Sequence, residues 1–269
     1  MRVRLAKRNY LYTLYWAVFF LLMWQAAAWM IRYWFPVKLP ETKWPYFTDV
    51  VSYLFSHGGV LFAQGGITFV NALSGFAVGG AFGLALAIVM NMSPLFSKII
   101  TPYVISSQMI PIIGLAPIVF SIVKDADVSR ILMAAYVTFF PVAINTLAGL
   151  NGIQNEHREL FRSYAASRWA YYKKLALPAA LPHFFLGLKL AAPLSITASI
   201  VVELMGAPNG IGVTMVSSLY YGSAQSDMFW ATVLLSSVIG LAGYLIIAMA
   251  ERLITPWQPE FRKNGGDSA

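Results

Sequence analysis

The chain has 269 residues, 58% of them hydrophobic and 11% charged, with a net charge of +8 and no cysteine. A soluble domain carries about 25% charged residues, so the deficit points to lipid as the solvent, where Asp, Lys or Arg at mid-helix costs roughly 2.5–3.5 kcal/mol. Disulfides, thiol catalysis and cysteine metal sites are excluded. Nucleic acid is disfavoured because the basic residues lie between apolar spans, where they hold loops at an anionic membrane surface.

A spanning helix needs about 20 mostly apolar residues. Six segments meet this, predicting an all-α integral membrane protein: residues 11–34, 67–90, 99–123, 128–150, 183–205 and 228–250. Residues 1–10 precede the first span as a basic start. That span is longer than the h-region of a cleaved leader, so it is read as retained.

The loop after it holds Pro36, Pro40 and Pro45, and within it "YFTDVVSYLFSHGGVLF" has the pattern of an amphipathic helix along the membrane surface. The second span places Gly75, Gly79 and Gly83 on one stripe, a spacing that lets two membrane helices approach closely. Thr68 and Asn71 extend that side. The third span is the least uniform, with Pro102, Gln108, Pro111 and Pro117, and is expected to be a kinked helix, with a re-entrant segment as the alternative.

Lys and Arg divide 14 against 5 between the two sides, which places both termini and the 151–182 loop in the cytoplasm. Arg130 is counted here with the outer loops, and Lys189 as a side chain that snorkels to the inner surface. On the fifth span, Ser195, Ser199 and Glu203 recur every four residues. An intramembrane acid is a functional candidate by default. Glu203 is therefore weighed as a pathway, gating or helix-capping residue, with Gln108, Met109 and Asn145 as further pathway candidates that could equally be interhelical glue. After this span, "GIGVTMVSSLYY" is too short to cross and too apolar for a free loop, so a short re-entrant or interfacial helix fits. Residues 259–269 read as a flexible polar tail.

The loop between the fourth and fifth spans is "ELFRSYAASRWAYYKKLALPAALP", Glu159 to Pro182. Asn155 can cap a first short helix, on which Leu160, Phe161 and Tyr164 share an apolar face beside Arg158 and Arg162. Ser167 can cap a second helix that Pro178 stops, and Pro182 suits the first turn of the next span. The result is a bend with an aromatic–aliphatic knob and a basic rim, the composition of a protein interface.

This segment resembles the Glu-Ala-Ala loop of permease subunits in binding-protein-dependent ABC importers. In that register Glu159 is the Glu, Ala165 takes the Gly place, Leu175 the Ile place, and Leu177-Pro178 complete the pattern. "AASRW", "LPAALP", Glu203 in "VVELMG" and "GIG" at Gly210–Gly212 are similar as well. Leu160 and Phe161 replace the two alanines, Ala165 replaces the glycine, and "SIVKDADVSR" lacks the usual Trp-Phe-Gly. The layout is most similar to the nitrate/sulfonate/taurine group, which also includes importers of thiamine-pyrimidine precursors and riboflavin. "ERLITPWQPE" resembles endings of the pyrimidine-precursor branch.

The resemblance implies a type I importer permease domain over residues 11–258, located in the cytoplasmic membrane of a prokaryote. It implies a homodimer that binds two separate ATPase subunits and is fed by a periplasmic or lipid-anchored substrate-binding protein. Glu159, Leu160, Phe161, Arg162, Tyr164, Ala165, Ser167, Arg168, Leu177 and Pro178 would form the ATPase-coupling element. ATP and Mg would sit on the partner, since no lysine here is followed by Ser or Thr as a phosphate-cradling loop requires. His57, His157 and His183 lack ligand spacing, so no metal is expected. A self-contained secondary transporter would commonly show inverted repeats and midplane acids, and a membrane-embedded enzyme would need clustered acids, bases or ligands. Neither pattern is evident.

Overall fold

The computed structural model describes the backbone of residues 2–35, 43–220 and 226–258. The proline-rich part of the first loop at 36–42 and the tail at 259–269 lie outside these residues. Within them the chain is helical: α1 (Arg2–Tyr33), α2 (Phe47–Ser56), α3 (Gly58–Met92), α4 (Pro94–Ser107), α5 (Ile112–Val123), α6 (Ala126–Asn151), α7 (Asn155–Ser163), α8 (Arg168–Tyr171), α9 (Leu177–Leu204), α10 (Ile211–Tyr220) and α11 (Ser226–Ile254). Among the described residues, four helical runs are long and apolar enough to cross a membrane: α3, α6, the run Arg168–Leu204 and α11. A fifth is reached if the bent pair α4–α5 counts as one span. Helix α1 occupies the place of the first expected span.

Helix α6 is the centre, packed along its length against α3 on one side and α9 on the other. The glycine stripe explains the first contact. A Cβ at Gly83 would lie 2.6 Å from the carbonyl oxygen of Phe139, and one at Gly79 would lie 2.8 Å from Ala135 Cα and from Thr138 Cβ. A Cβ at Gly75 would meet the Ile131 carbonyl and the Ala134 side chain. Three successive turns of α3 thus lie against the α6 backbone, at a separation only glycine permits. On the other face, a Cβ at Gly187 of α9 would lie 2.8 Å from Val142 Cα. Elsewhere α1 exposes most of its apolar side chains among those described, from Tyr15 to Tyr33. It is fixed by Trp24, whose ring meets Trp44 and Trp230 at 5.1 and 5.0 Å and whose Nε1 donates to the Pro45 carbonyl at 3.0 Å.

Local signals set several boundaries. Ser93 caps α4, with its hydroxyl accepting from Phe96 N and Pro94 following in the first turn. Asp125 caps α6 by accepting from Val128 N at 2.8 Å. Helix α2 is amphipathic, and α10 occupies the short apolar stretch expected after the fifth span.

Four expectations are corrected here. The 99–123 segment is two helices meeting at 95° rather than one kinked helix. Pro111 supplies no N–H to close the preceding turn and biases Ile110 away from the helical region, and the new helix starts from its extended ψ of 120°. Pro178 does not stop the second loop helix, and Pro182 lies inside α9 rather than in its first turn. The chain passes from α8 through a π turn at Tyr172–Ala176 directly into α9. The wider turn relieves the carbonyl clash that Pro178 would cause in an α-helix. Lys189 does not snorkel but reaches sideways to Glu251 on α11, Nζ to Oε2 at 2.7 Å.

Candidate functional site

The hairpin of α7 and α8 stands at the end of the bundle where α6 finishes. Gln154, not Asn155, is the N-cap of α7, and its side chain makes no capping bond. The C-terminus of α7 is closed by a Schellman motif. Ala166 N donates to Phe161 O at 3.0 Å, and Ala165 N donates to Arg162 O at 2.9 Å. The motif requires a left-handed residue, and Ala165 supplies it at φ 48°. Ser167 then caps α8, its hydroxyl accepting from Ala170 N at 3.2 Å.

This bend sorts the side chains. Phe161 turns inward and meets Tyr171 edge-on, with centroids 6.1 Å apart. Leu160 and Tyr164 face outward, 50% and 78% exposed, and Trp169 on the second arm joins them at 73%. The sequence face of Leu160, Phe161 and Tyr164 is thus split: Phe161 pins the arms together, and Trp169 takes its place on the outer knob. Glu159, Arg162 and Arg168 are exposed around it. Leu177 and Pro178 lie where the π turn enters α9, half-buried, and so belong to the root of the hairpin.

At the opposite end of the bundle lies a polar cluster that the sequence did not assemble. Arg130 is fully buried, not a loop residue. Its Nε lies 3.2 Å from Glu203 Oε1, its Nη1 donates to Asp127 Oδ1 at 2.5 Å, and its Nη2 donates to Asn209 Oδ1 at 2.9 Å and to the Asn209 carbonyl. Glu203 also accepts from Thr68 Oγ1 and from Gly212 N, both at 2.8 Å. Thr68 in turn accepts from Ile211 N at 3.0 Å, and Gln64 accepts from Gly210 N at 2.6 Å. Asn71 donates to Asp127 at 2.9 Å. The "GIG" glycines are needed here. Gly210 has φ +111°, and the Glu203 carboxylate occupies the space of its missing side chain, while a Cβ at Gly212 would lie 2.8 Å from Glu203 Cβ.

The cluster therefore binds the start of α10 to α3, α6 and α9. Glu203 neutralises Arg130 and caps α10 at once. A buried carboxylate with three partners is fixed in place rather than open to a passing solute. The signal available in sequence was Glu203 itself, because an acid inside a span demands a cation. Arg130, inside the first turns of the expected fourth span, was that cation.

The remaining pathway candidates are not brought together. Ser195 bonds within α9 to Ala192 O at 2.8 Å, and Ser199 is buried without a hydrogen-bond partner among the described residues. Asn145 donates back to Pro141 O at 2.7 Å. Gln108 and Met109 are exposed at the α4–α5 break, where Tyr136 Oη ties the end of α4 to α6 by donating to the Ser107 carbonyl. No group of three His, Asp or Glu able to hold a metal ion occurs among the described residues.

Comparison with known proteins agrees with this architecture. The profile of the family "Binding-protein-dependent transport system inner membrane component" matches residues 79–256. The chain is 29% identical over 189 residues to the formylaminopyrimidine transport permease protein ThiX of Halalkalibacterium halodurans, covering 68% of this chain and 73% of that one. It is 25% identical over 226 residues to the nitrate import permease protein NrtB of Synechococcus elongatus, covering 82% and 80%. Among solved structures, an amino acid ABC transporter superposes with a TM-score of 0.61 at 15% identity, covering 75% of this chain and 97% of that one. Such a likeness carries the fold alone. The chain belongs to the binding-protein-dependent transport system inner membrane components: it is the permease subunit of an ABC importer and not an enzyme.

Proposed function

We propose that the chain crosses the cytoplasmic membrane of a prokaryote six times over residues 11–258, with α1 as the first span and α4–α5 as the third. Both termini and the α7–α8 hairpin then face the cytoplasm, as the charge asymmetry supports. Two copies form the pathway in lipid. Each docks one ATPase subunit, which carries the ATP and Mg, and this chain binds no cofactor. A substrate-binding protein delivers the solute at the face that holds α10.

Leu160, Tyr164 and Trp169 form the knob that enters the ATPase, with Glu159, Arg162 and Arg168 at its rim. Ala165 and Ser167 set the bend, Phe161 holds the two arms together, and Leu177 and Pro178 pass the movement into α9. The single observation that carries this reading is the exposure of three large apolar side chains on the α7–α8 hairpin, each of which gains by burial against a partner. The Arg130–Glu203 pair holds α10 at the outer side, and a solute path along Gln108, Met109, Asn145, Ser195 and Ser199 requires the second copy and a different state of the bundle. The cargo is a small anion of the nitrate or sulfonate kind, or a pyrimidine or vitamin precursor such as those of thiamine and riboflavin. Names of relatives and the "PWQPE" ending support this range.

The test is the purified permease–ATPase complex in proteoliposomes. Tyr164→Asp should abolish ATPase stimulation by the loaded binding protein while the folded permease is recovered in normal yield. Full stimulation in that variant would remove the hairpin from the coupling path.

A further inference from the structure

Between the two arms of the hairpin and the end of α3 lies a half-open pocket of about 430 Å³. Three of its lining residues are Arg158, Arg162 and Arg168, and Phe161, Tyr171 and Met92 supply apolar walls. The ion pairs among the described residues all belong to Arg130 or Lys189, so no carboxylate within 4.0 Å neutralises any of these three guanidiniums. Arg158 uses Nη2 to bind the last carbonyls of α6, Leu150 O at 3.2 Å and Asn151 O at 3.1 Å. Its Nε is buried and has no hydrogen-bond partner among the described residues. The other polar groups of the wall are already committed: Tyr172 Oη donates to Asn91 Oδ1 at 2.8 Å, and Asn91 Nδ2 donates to Asn151 at 2.9 Å.

Three like charges gathered in one concavity repel one another, and an unpaired buried donor has lost its water without gaining a partner. The repulsion falls when an oxyanion enters. Guanidinium forks match tetrahedral oxyanions with paired N–H···O bonds, and the volume is that of a small-ligand site. We propose that this pocket is a binding site for a phosphate- or sulfonate-type oxyanion, which ties α7 and α8 to the end of α3. The same chemistry is carried by the headgroup of an anionic phospholipid and by a free anion. The apolar walls at Phe161 and Met92 suit the glycerol portion of the former.

The experiment uses the full permease–ATPase complex. Retention of phosphatidylglycerol is read by native mass spectrometry after reconstitution in mixed phosphatidylglycerol–phosphatidylcholine nanodiscs. In detergent without added lipid, the rise in apparent Tm with inorganic phosphate or sulfate is read separately. An Arg162→Gln/Arg168→Gln variant should lose tenfold or more of whichever response the parent shows. Retention of lipid identifies the headgroup as the source, and a Tm response alone identifies the free anion. If the parent shows neither response, or the variant keeps both, the proposal is overturned. ATPase co-purification is scored in parallel. Loss of the ATPase with no anion response in the parent assigns the guanidiniums to acidic side chains of the ATPase and overturns the proposal. Normal anion binding with a failed Tyr164→Asp test would instead sink the docking reading.

Discussion

Arg130 on α6 and Glu203 on α9 face each other at 3.2 Å, with neither side chain reached by solvent. Arg130 also pairs with the exposed Asp127, but among the described residues Glu203 has no cation other than Arg130, so removing Arg130 leaves an uncompensated buried ion, at a cost of about 3–5 kcal/mol. Arg130→Met should therefore lower the apparent Tm sharply in detergent. Arg130→Met/Glu203→Gln removes both charges, keeps one acceptor oxygen for Gly212 N at the expense of the Thr68 bond, and should recover part of the loss. Thermal unfolding followed by size-exclusion fluorescence checks this. A double variant no better than the single one would show that the charge pair is not what holds α10.

The glycine stripe makes a graded prediction. At Gly79 a methyl group would press on the α6 backbone, whereas nothing lies within 4 Å of the Cβ position at Gly66 on the same helix. Gly79→Ala should destabilise by about 1–3 kcal/mol through overpacking. Gly66→Ala should be neutral or stabilising by up to about 1 kcal/mol, since only helix propensity acts there. The comparison of the two apparent Tm values is the measurement, and equal effects would contradict the close α3–α6 approach.

Ala165 holds a left-handed conformation that costs an L-residue roughly 1–2 kcal/mol. Ala165→Gly should stabilise the bend by about 0.5–1 kcal/mol after the greater freedom of glycine in the unfolded chain is counted. Ala165→Val should weaken it by more than that. Limited proteolysis at the hairpin reads the local effect: cleavage slows in the first variant and quickens in the second.

Phe161 and Tyr164 share a helix but serve different ends of the hairpin. Phe161→Ala should release the Tyr171 contact and lower the apparent Tm by the equivalent of about 2–3 kcal/mol. Tyr164→Asp should leave the Tm unchanged, because the side chain is exposed, while reducing ATPase co-purification at least tenfold. If the two variants exchange phenotypes, the knob is built from Phe161 after all.

Much was legible in the sequence because lipid permits few solutions. An apolar run of about 20 residues in lipid must satisfy its own backbone and so must be helical. The amphipathic α2, the short α10 and the Ser167 cap followed from local pattern. The left-handed conformation of Ala165 came only with the structure, since the sequence showed no more than an alanine in the place of a glycine. What local pattern could not supply was direction and partnership. Three prolines made the 99–123 segment irregular, but whether it kinks or turns through 95° depends on what the two halves pack against. Pro178 carries a stop signal that a π turn overrides. The face of Leu160, Phe161 and Tyr164 was readable as apolar, yet only the folding of the second arm decided that Phe161 turns in and Trp169 turns out. Arg130, Glu203, Thr68 and Gly212 stand far apart in the chain. Their union comes from the packing of α3, α6 and α9, in which glycines bring backbones close enough for short polar side chains to meet. Composition fixed the solvent of this protein and the number of places it could hide a charge, and tertiary packing decided which charges were hidden together.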